Sequence, residues 1–374
     1  MFSRLMLLGV TLCLCACRCE SPDLLTVPGV SRELAQYRQD HYGEVVYRLK
    51  FAIPQERREA VCGRAEISLS LERPLPLVLD FRGDSSSVDS VRLNGQPVAY
   101  VFRDEHILID ARETAVGENR LEIVFTPADQ SLNRREDFLY TLLVPDRART
   151  LFPCFDQPDL KARFSLELEV PRQWTAVANG AVAGVDSTSV AGRRTVSFRQ
   201  TAPIPTYLFS FVCGRFSQYT GVRDGRSVSM YHRETDPRKV AQCPAVLDQV
   251  FHALEWVEEY TGVPYPFEKY DLIVVPGFQY GGMEHMGATL YADRSIFLED
   301  NATIDNYMAR AGLIAHETAH MWFGDFVTMK WFDEVWTKEV FATFFSSMIV
   351  RPMFPQVDHD LNFIKGSYPA AYSE

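Results

Sequence analysis

Between residues 42 and 216, apolar and polar positions alternate in short segments that are separated by turn residues. A period of two bounded by Gly, Asn or Pro is typical of antiparallel strands. We therefore predict a β-rich domain over residues 17–220, built as a sandwich or saddle of sheets. Its clearest predicted strands are Glu66–Leu71, Ser90–Leu93, Arg120–Phe125, Phe164–Val170 and Arg194–Arg199.

After Gly221 the apolar spacing becomes helical. One helix is predicted over residues 246–260, and residues 272–275 form a short apolar run typical of a buried strand. Two further helices are predicted, from Thr303 to Phe323 with Gly324 as terminator, and from about Asp333 to Val350, before Pro352. The fold class is thus α+β, with a second domain over residues 221–374 whose boundary rests on the change of period alone.

Composition narrows the functional classes. The 374 residues are 47% apolar, and 49 acidic against 38 basic side chains give a formal charge of −11. A soluble, core-forming protein is expected, and the absence of a basic excess argues against nucleic-acid binding. The sparse cysteines Cys62, Cys154, Cys213 and Cys243 are compatible with free thiols or with one or two bridges, and we favour buried thiols.

The amino terminus predicts export. Arg4 precedes an apolar run, residues 5–14, that is too short for a stable membrane span. Residues 14–17, Leu-Cys-Ala-Cys, resemble a bacterial lipoprotein box, so we predict a signal peptide over residues 1–16 and lipidation of Cys17. The protein would then be anchored by lipid to a bacterial membrane, on its periplasmic or surface face. An ordinary secretory signal with incidental cysteines is the alternative.

The second predicted helix carries the sequence HETAH. His316 and His320 are four residues apart and share one helical face, so both imidazoles can bind one metal ion, with Glu317 beside them. Zinc needs a third protein ligand, and Glu339 follows on the next helix with eighteen residues between it and His320. Glu334 is a competing candidate at a different azimuth, and two core histidines on an amphipathic helix are the structural alternative.

A second motif, GGMEH, precedes this helix. The adjacent glycines Gly281 and Gly282 let a backbone lie close to an extended peptide, whose N–H and C=O groups can pair with a strand edge. Glu284 would then be a carboxylate near the metal. Taken alone, the motif is better explained as a turn with a solvated glutamate.

Together these motifs resemble those of the M1 zinc aminopeptidases, the aminopeptidase N group of gluzincins. ARTLFPCFDQPDLKARF (residues 148–164) resembles the family's signature in the amino-terminal domain, and residues 321–345 resemble its helix-loop-helix with the third ligand. The resemblance implies a β-sandwich or saddle domain followed by a thermolysin-like metallopeptidase domain. It implies a hydrolase that removes amino-terminal residues from peptides by metal-activated water.

The resemblance also implies a role for each motif residue. One zinc ion would be bound by His316, His320 and Glu339, and Glu317 would be the general base. Gly281 and Gly282 would hold the peptide backbone. Glu284 would bind the free α-amino group of the substrate, which fixes that terminus next to the metal.

The chain departs from the family pattern at several positions. His285 and Val340 stand where the family usually has Asn and Gly, and Val144 stands where many members carry a Gln or Glu that helps to hold the amine. The family's oxyanion-stabilising tyrosine lies well downstream of the third ligand. Tyr368 and Tyr372 are too close to Glu339 to match it. We therefore expect the amino-terminal portion of such an enzyme, with turnover that is weak or lost, because a missing oxyanion donor typically costs about 10²–10³ in turnover.

Two other functions are compatible with the same scaffold. One is a non-catalytic surface lipoprotein that binds peptides, against which the combination of metal ligands and a general base argues. The other is an epoxide-hydrolysing relative with the same zinc centre, which no residue favours.

Overall fold

The computed structural model describes residues 26–188 and 190–365. Four predicted features lie outside these ranges and are described no further: the export signal over residues 1–16, the lipidation site Cys17, and the tyrosines Tyr368 and Tyr372. Among the described residues, no helix is long and apolar enough to cross a membrane.

The first part of the chain is dominated by strands, as predicted. Its largest sheet has eight strands, which follow across the sheet in the order Val182–Asp186, Arg193–Phe198, Arg163–Pro171, Gly43–Ala52, Cys62–Leu71, Gly117–Phe125, Val88–Leu93 and Gln96–Pro97. One pair departs from the predicted antiparallel pattern, because Gly43–Ala52 runs parallel to Arg163–Pro171, with Leu49 opposite Leu166. More than a hundred residues separate these strands, so no hairpin dictates their direction.

Two smaller sheets and one helix complete this part. The four-stranded sheet contains Thr175–Ala178, Phe211–Gly214, Phe138–Thr141 and Leu132–Arg134, and the three-stranded sheet contains Leu77–Asp80, His106–Ile109 and Val101–Arg103. The helix Arg32–His41 begins at Ser31, whose hydroxyl accepts a hydrogen bond from the Leu34 amide.

The second part combines one sheet with helices. Its sheet contains, in order, Ser217–Arg223, Arg226–His232, Tyr270–Val275, Thr289–Ala292 and Gly282–Met283. Its helices are Pro237–Val240, Cys243–Thr261, Asp293–Ile296, Ile304–His320, Val335–Met353 and His359–Lys365. The predicted α+β class is confirmed. The predicted boundary at residues 220 and 221 falls inside the first strand of this sheet.

The strand Tyr270–Val275 explains how the two parts pack together. Ile273 and Val275 belong to the hydrophobic core of the β-rich part, whereas Leu272 and Val274 belong to the core beneath the helices. Successive side chains of a strand point to opposite faces, so a strand covered on both faces must be apolar throughout. The continuous apolar run in the sequence is therefore the sign of a central strand between two cores.

Two helices carry the predicted metal ligands, and we call them the motif helix (Ile304–His320) and the ligand helix (Val335–Met353). The motif helix ends three residues before the predicted Phe323, in a tight turn at Met321 to Gly324. The ligand helix runs through Pro352, so the prediction that it stops before this proline is wrong. A proline in the last turn removes only one backbone hydrogen bond, which the end of a helix tolerates.

The cysteines of the described residues are free. Cys154, Cys213 and Cys243 are buried, whereas Cys62 is exposed. Burial raises the pKa of the Cys154 thiol well above its ordinary value. The preference for buried thiols is therefore correct for three of the four.

Candidate active site

The motif helix places the two histidines on one face. It begins at a capping box in which Thr303 and Asn306 exchange hydrogen bonds, so the register of the helix is fixed from its first turn. Twelve residues later the Nε2 atoms of His316 and His320 lie 3.0 Å apart. His320 is buried and His316 is partly exposed toward the cavity.

The ligand helix brings the predicted third ligand to this pair. Glu339 Oε2 lies 3.4 Å from His316 Nε2 and 3.5 Å from His320 Nε2. Burial opposes ionisation of Glu339, but hydrogen bonding to the two imidazoles holds its pKa well below the usual range. The competing candidate, Glu334, lies before the ligand helix and accepts a hydrogen bond from the Lys330 amide.

The three donor atoms have the spacing of a tetrahedral metal site. Ligands about 2.05 Å from a zinc ion in tetrahedral geometry lie about 3.3 Å from one another, close to the distances of 3.0, 3.4 and 3.5 Å. The Nδ1 atom of His320 lies 3.2 Å from the carbonyl oxygen of Phe323. Donation of the Nδ1 proton to that carbonyl leaves Nε2 free to bind a metal.

Glu317 faces the cavity beside the predicted metal ligands and is buried. Burial, reinforced by the negative charge of Glu284, raises the pKa of Glu317 well above its ordinary value. The backbone of Gly282 lies directly against this carboxylate, because a Cβ atom added at Gly282 would come within 2.3 Å of Glu317 Oε1. A glycine at this position thus makes room for the glutamate.

The GGMEH motif forms an edge strand next to the same cavity. Gly282 and Met283 pair with Tyr291 and Leu290 of the neighbouring strand, on one side only. The other side is available for pairing with an extended peptide. Gly281 precedes this strand and lines the cavity.

Glu284 is buried and already has a charged partner. Its Oε1 atom accepts a hydrogen bond from the ammonium group of Lys338, the residue that precedes Glu339. Burial alone would raise the pKa of Glu284, but Lys338 holds it below its ordinary value. The adjacent His285 is buried too, and burial lowers its pKa to about 4.

All predicted site residues of the second part meet at one cavity of about 550 Å³. Its lining includes His316, Glu317, His320, Glu339, Gly281, Gly282 and Glu284, and the β-rich part contributes Val144, Pro145 and Tyr207. This volume is typical of pockets that hold small ligands. Val340, by contrast, is 56% exposed and does not line the cavity.

Sequence reasoning missed two cavity residues, Lys338 and Tyr207. The only local sign of Lys338 is a basic residue directly before the predicted third metal ligand. Tyr207 lies in a single helical turn of the β-rich part, Thr206–Leu208, and its buried hydroxyl has no hydrogen-bond partner among the described residues. Burial raises the pKa of Tyr207 well above its ordinary value, so it stays protonated.

Two imidazoles and a carboxylate on facing helices, with a second carboxylate and a sheet edge beside them, are an arrangement found in helix-borne metallohydrolases. Comparison with known families agrees. The peptidase family M1 domain matches residues 245–372, and the peptidase M1 N-terminal domain matches residues 101–208. The chain belongs to peptidase family M1.

Individual relatives are aminopeptidases by name. The chain is 29% identical to probable aminopeptidase 2 of Sulfurisphaera tokodaii over 83% of its own length, and 34% identical to aminopeptidase N of Streptomyces lividans over 69%. It is 35% identical to the puromycin-sensitive aminopeptidase of Caenorhabditis elegans over 58%. The matched parts are 39%, 31% and 23% of these relatives, so the chain spans well under half of their length.

Proposed function

We propose that this protein is a zinc-dependent aminopeptidase, which hydrolyses the peptide bond after the amino-terminal residue of a peptide. The observation that carries the proposal is the convergence of His316, His320 and Glu339, whose donor atoms lie 3.0 to 3.5 Å from one another. Two imidazoles and one carboxylate are a donor set of catalytic zinc sites. The aminopeptidase names of the relatives support the enzyme over a non-catalytic peptide-binding protein.

Zinc held by these three residues would act as a Lewis acid toward the scissile carbonyl group and would make a water molecule more acidic. Glu317 has the position of the general base. Its carboxylate takes a proton from the attacking water, whose hydroxyl group bonds to the carbonyl carbon, and delivers that proton to the peptide nitrogen. The C–N bond then breaks and the amine leaves uncharged.

The peptide would lie along the free side of the strand Gly282–Met283. Its backbone N–H and C=O groups would extend the sheet, as occurs in other strand-addition complexes. Gly281 and Gly282 permit this approach because no side chain projects from them. The bound peptide is then held across the cavity, with its carbonyl group toward the metal ligands and Glu317.

Metal analysis combined with turnover tests the proposal. We expect one equivalent of zinc per chain and release of amino acid from aminoacyl anilides. Glu317→Gln should keep the zinc and abolish turnover, because an amide cannot accept the proton. Glu299→Gln, at an exposed position, is the matched control and should change neither. Loss of zinc in Glu317→Gln would contradict the role of this residue, and absence of zinc from the unaltered protein would contradict the function.

We also propose, from the sequence alone, that the protein is exported and anchored to a bacterial membrane by lipid on Cys17. Metabolic labelling with a fatty acid should mark the protein. Cys17→Ser should remove the label, and a label that persists in this variant would refute the assignment.

A further inference from the structure

The carboxylate that the family resemblance assigns to the substrate's amine is bound to a cation of the chain itself. The Lys338 ammonium group donates to Glu284 Oε1, and the two side chains are only 7% and 5% exposed. The pair joins the ligand helix to the loop that follows the edge strand Gly282–Met283. It lies in the wall of the substrate cavity.

Three groups hold the Lys338 ammonium in this place. Besides Glu284, its Nζ atom lies 3.2 Å from Glu339 Oε1 and 5.4 Å from the centre of the Tyr207 ring. Carboxylates and an aromatic face are the partners that a desolvated ammonium group requires. The surroundings are those that a substrate ammonium group would itself need.

The cavity offers a substrate amine no second carboxylate among its described lining residues. Glu339 is assigned to the metal and Glu317 to proton transfer, which leaves Glu284 as the remaining acidic group of the lining. Val144 lies in the cavity wall as an apolar side chain, so it provides no charge or hydrogen bond to an ammonium group.

We propose that Lys338 is a specificity-determining residue, which occupies from within the chain the place of the substrate's terminal ammonium group at Glu284. The enzyme would then accept peptides whose terminal nitrogen is uncharged, such as acylated peptides, at least as well as peptides with a free amino terminus. This inference rests on the proposed metallopeptidase function and specifies its substrate class.

Competition at Glu284 favours the internal cation. An incoming ammonium group would have to displace one that is tethered, buried and already paired, and removing one partner of a buried ion pair is costly. Two ammonium groups at one carboxylate also repel each other. An acyl-blocked terminus pays neither penalty, and the cavity of about 550 Å³ has room for a residue with a small acyl group.

Binding of two matched probes tests the inference without relying on turnover. Leucine hydroxamate and N-acetyl-leucine hydroxamate share a metal-binding group and differ in the charge of the terminal nitrogen. Calorimetry on the zinc-loaded protein should show that the acetylated probe binds at least as tightly as the free-amine probe. In Lys338→Met, Glu284 becomes available, so the free-amine probe should gain about 10- to 100-fold while the acetylated probe changes little.

Two control variants show whether an effect is specific to the charge at Lys338. Lys239→Met removes a lysine from an ion pair with Glu299 outside the cavity and should behave like the unaltered protein. Lys338→Arg keeps the charge and should not gain affinity for the free amine. If neither Lys338 variant folds, the ratio of the two probe affinities in the unaltered protein is sufficient to test the inference.

One contrary result is that the unaltered protein binds the free-amine probe more than about tenfold more tightly, which is the size of one charge-assisted hydrogen bond. That result would overturn the inference and leave the proposed function standing. An affinity ratio that stays the same in Lys338→Met would do so as well. Binding of neither probe by the zinc-loaded protein would instead refute the proposed function, and the inference with it.

Discussion

At the scale of single residues, the site depends on the absence of a side chain at one position. Gly282 lies so close to Glu317 that an added Cβ atom would come within 2.3 Å of Oε1, 2.5 Å of Cδ and 2.6 Å of Cγ. Such contacts are not tolerated, so the whole end of the glutamate side chain would have to move. The edge strand therefore determines where the proposed general base can be.

We predict that Gly282→Ala keeps the metal and loses turnover. Displacement of Glu317 by about an ångström should lower kcat/KM on the order of 10²-fold, because proton transfer depends on a well-defined geometry. Zinc content and anilide hydrolysis measure the two effects. Gly184→Ala, where an added Cβ atom meets no atom within 4 Å, is the control. Unchanged turnover in Gly282→Ala would contradict the claim that Gly282 determines the position of Glu317.

The sequence predicts some of these residues better than others. His316, Glu317 and His320 follow from local helical spacing, and Glu339 from a second helix at hairpin distance, because both patterns are local. The pairing of Lys338 with Glu284 joins residues 54 positions apart, and Tyr207 comes from a helical turn of the β-rich part. Contacts of this kind depend on how elements pack, which the spacing of one segment does not encode.

At the scale of elements, the helix Arg32–His41 is attached to the β-rich part by a buried ion pair. The Arg38 guanidinium donates to both carboxylate oxygens of Asp80, at 2.6 and 2.8 Å, and to the carbonyl oxygen of Val78. Both side chains are fully buried. Asp80 also accepts a hydrogen bond from the Asp156 amide, so one carboxylate connects a helix, a strand and a loop.

We predict that Arg38→Met lowers the free energy of unfolding by about 3–5 kcal/mol, because it leaves the Asp80 charge buried without its cation. Arg48→Met removes a similar pair with Glu66 at the surface and should cost less than about 1 kcal/mol. Urea unfolding of the two variants measures the difference. Equal costs would mean that another group compensates the charge of Asp80.

The periodicity of apolar residues predicts where strands lie but not how they pair. Continuous apolarity over residues 272–275 predicts the strand Tyr270–Val275, whose two faces are both covered. Alternation over residues 66–71 predicts the second half of the strand Cys62–Leu71. The direction of pairing between Gly43–Ala52 and Arg163–Pro171 is parallel, which no local signal specifies. The ligand helix likewise extends past Pro352 to Met353, although a proline is a helix-stop signal.

At the scale of the whole molecule, the β-rich part is hydrogen-bonded to the loop beside the site. Asn179 is buried and donates from Nδ2 to the carbonyl oxygens of Leu208 and Met286, while its Oδ1 atom accepts from the Ser210 amide. Met286 follows the GGMEH motif directly. One side chain thus fixes the loop after Glu284 to the turn that carries Tyr207.

We predict that Asn179→Ala lowers the free energy of unfolding by about 2 kcal/mol, because buried polar groups lose their partners. It should weaken binding of leucine hydroxamate several-fold and leave zinc affinity unchanged, since no metal ligand contacts Asn179. Asn301→Ala, at an exposed position, is the control and should alter stability by less than about 0.5 kcal/mol. Loss of zinc in Asn179→Ala would contradict this division of roles.

The central claim is that His316, His320 and Glu339 form a zinc site, and competition titration with a chromophoric chelator tests it most directly. We expect the unaltered protein and Glu334→Gln to bind one equivalent of zinc with equal affinity. Glu339→Gln should bind zinc at least about 100-fold more weakly, because it lacks a direct ligand. No zinc binding by the unaltered protein, or equal losses in the two glutamate variants, would contradict the claim.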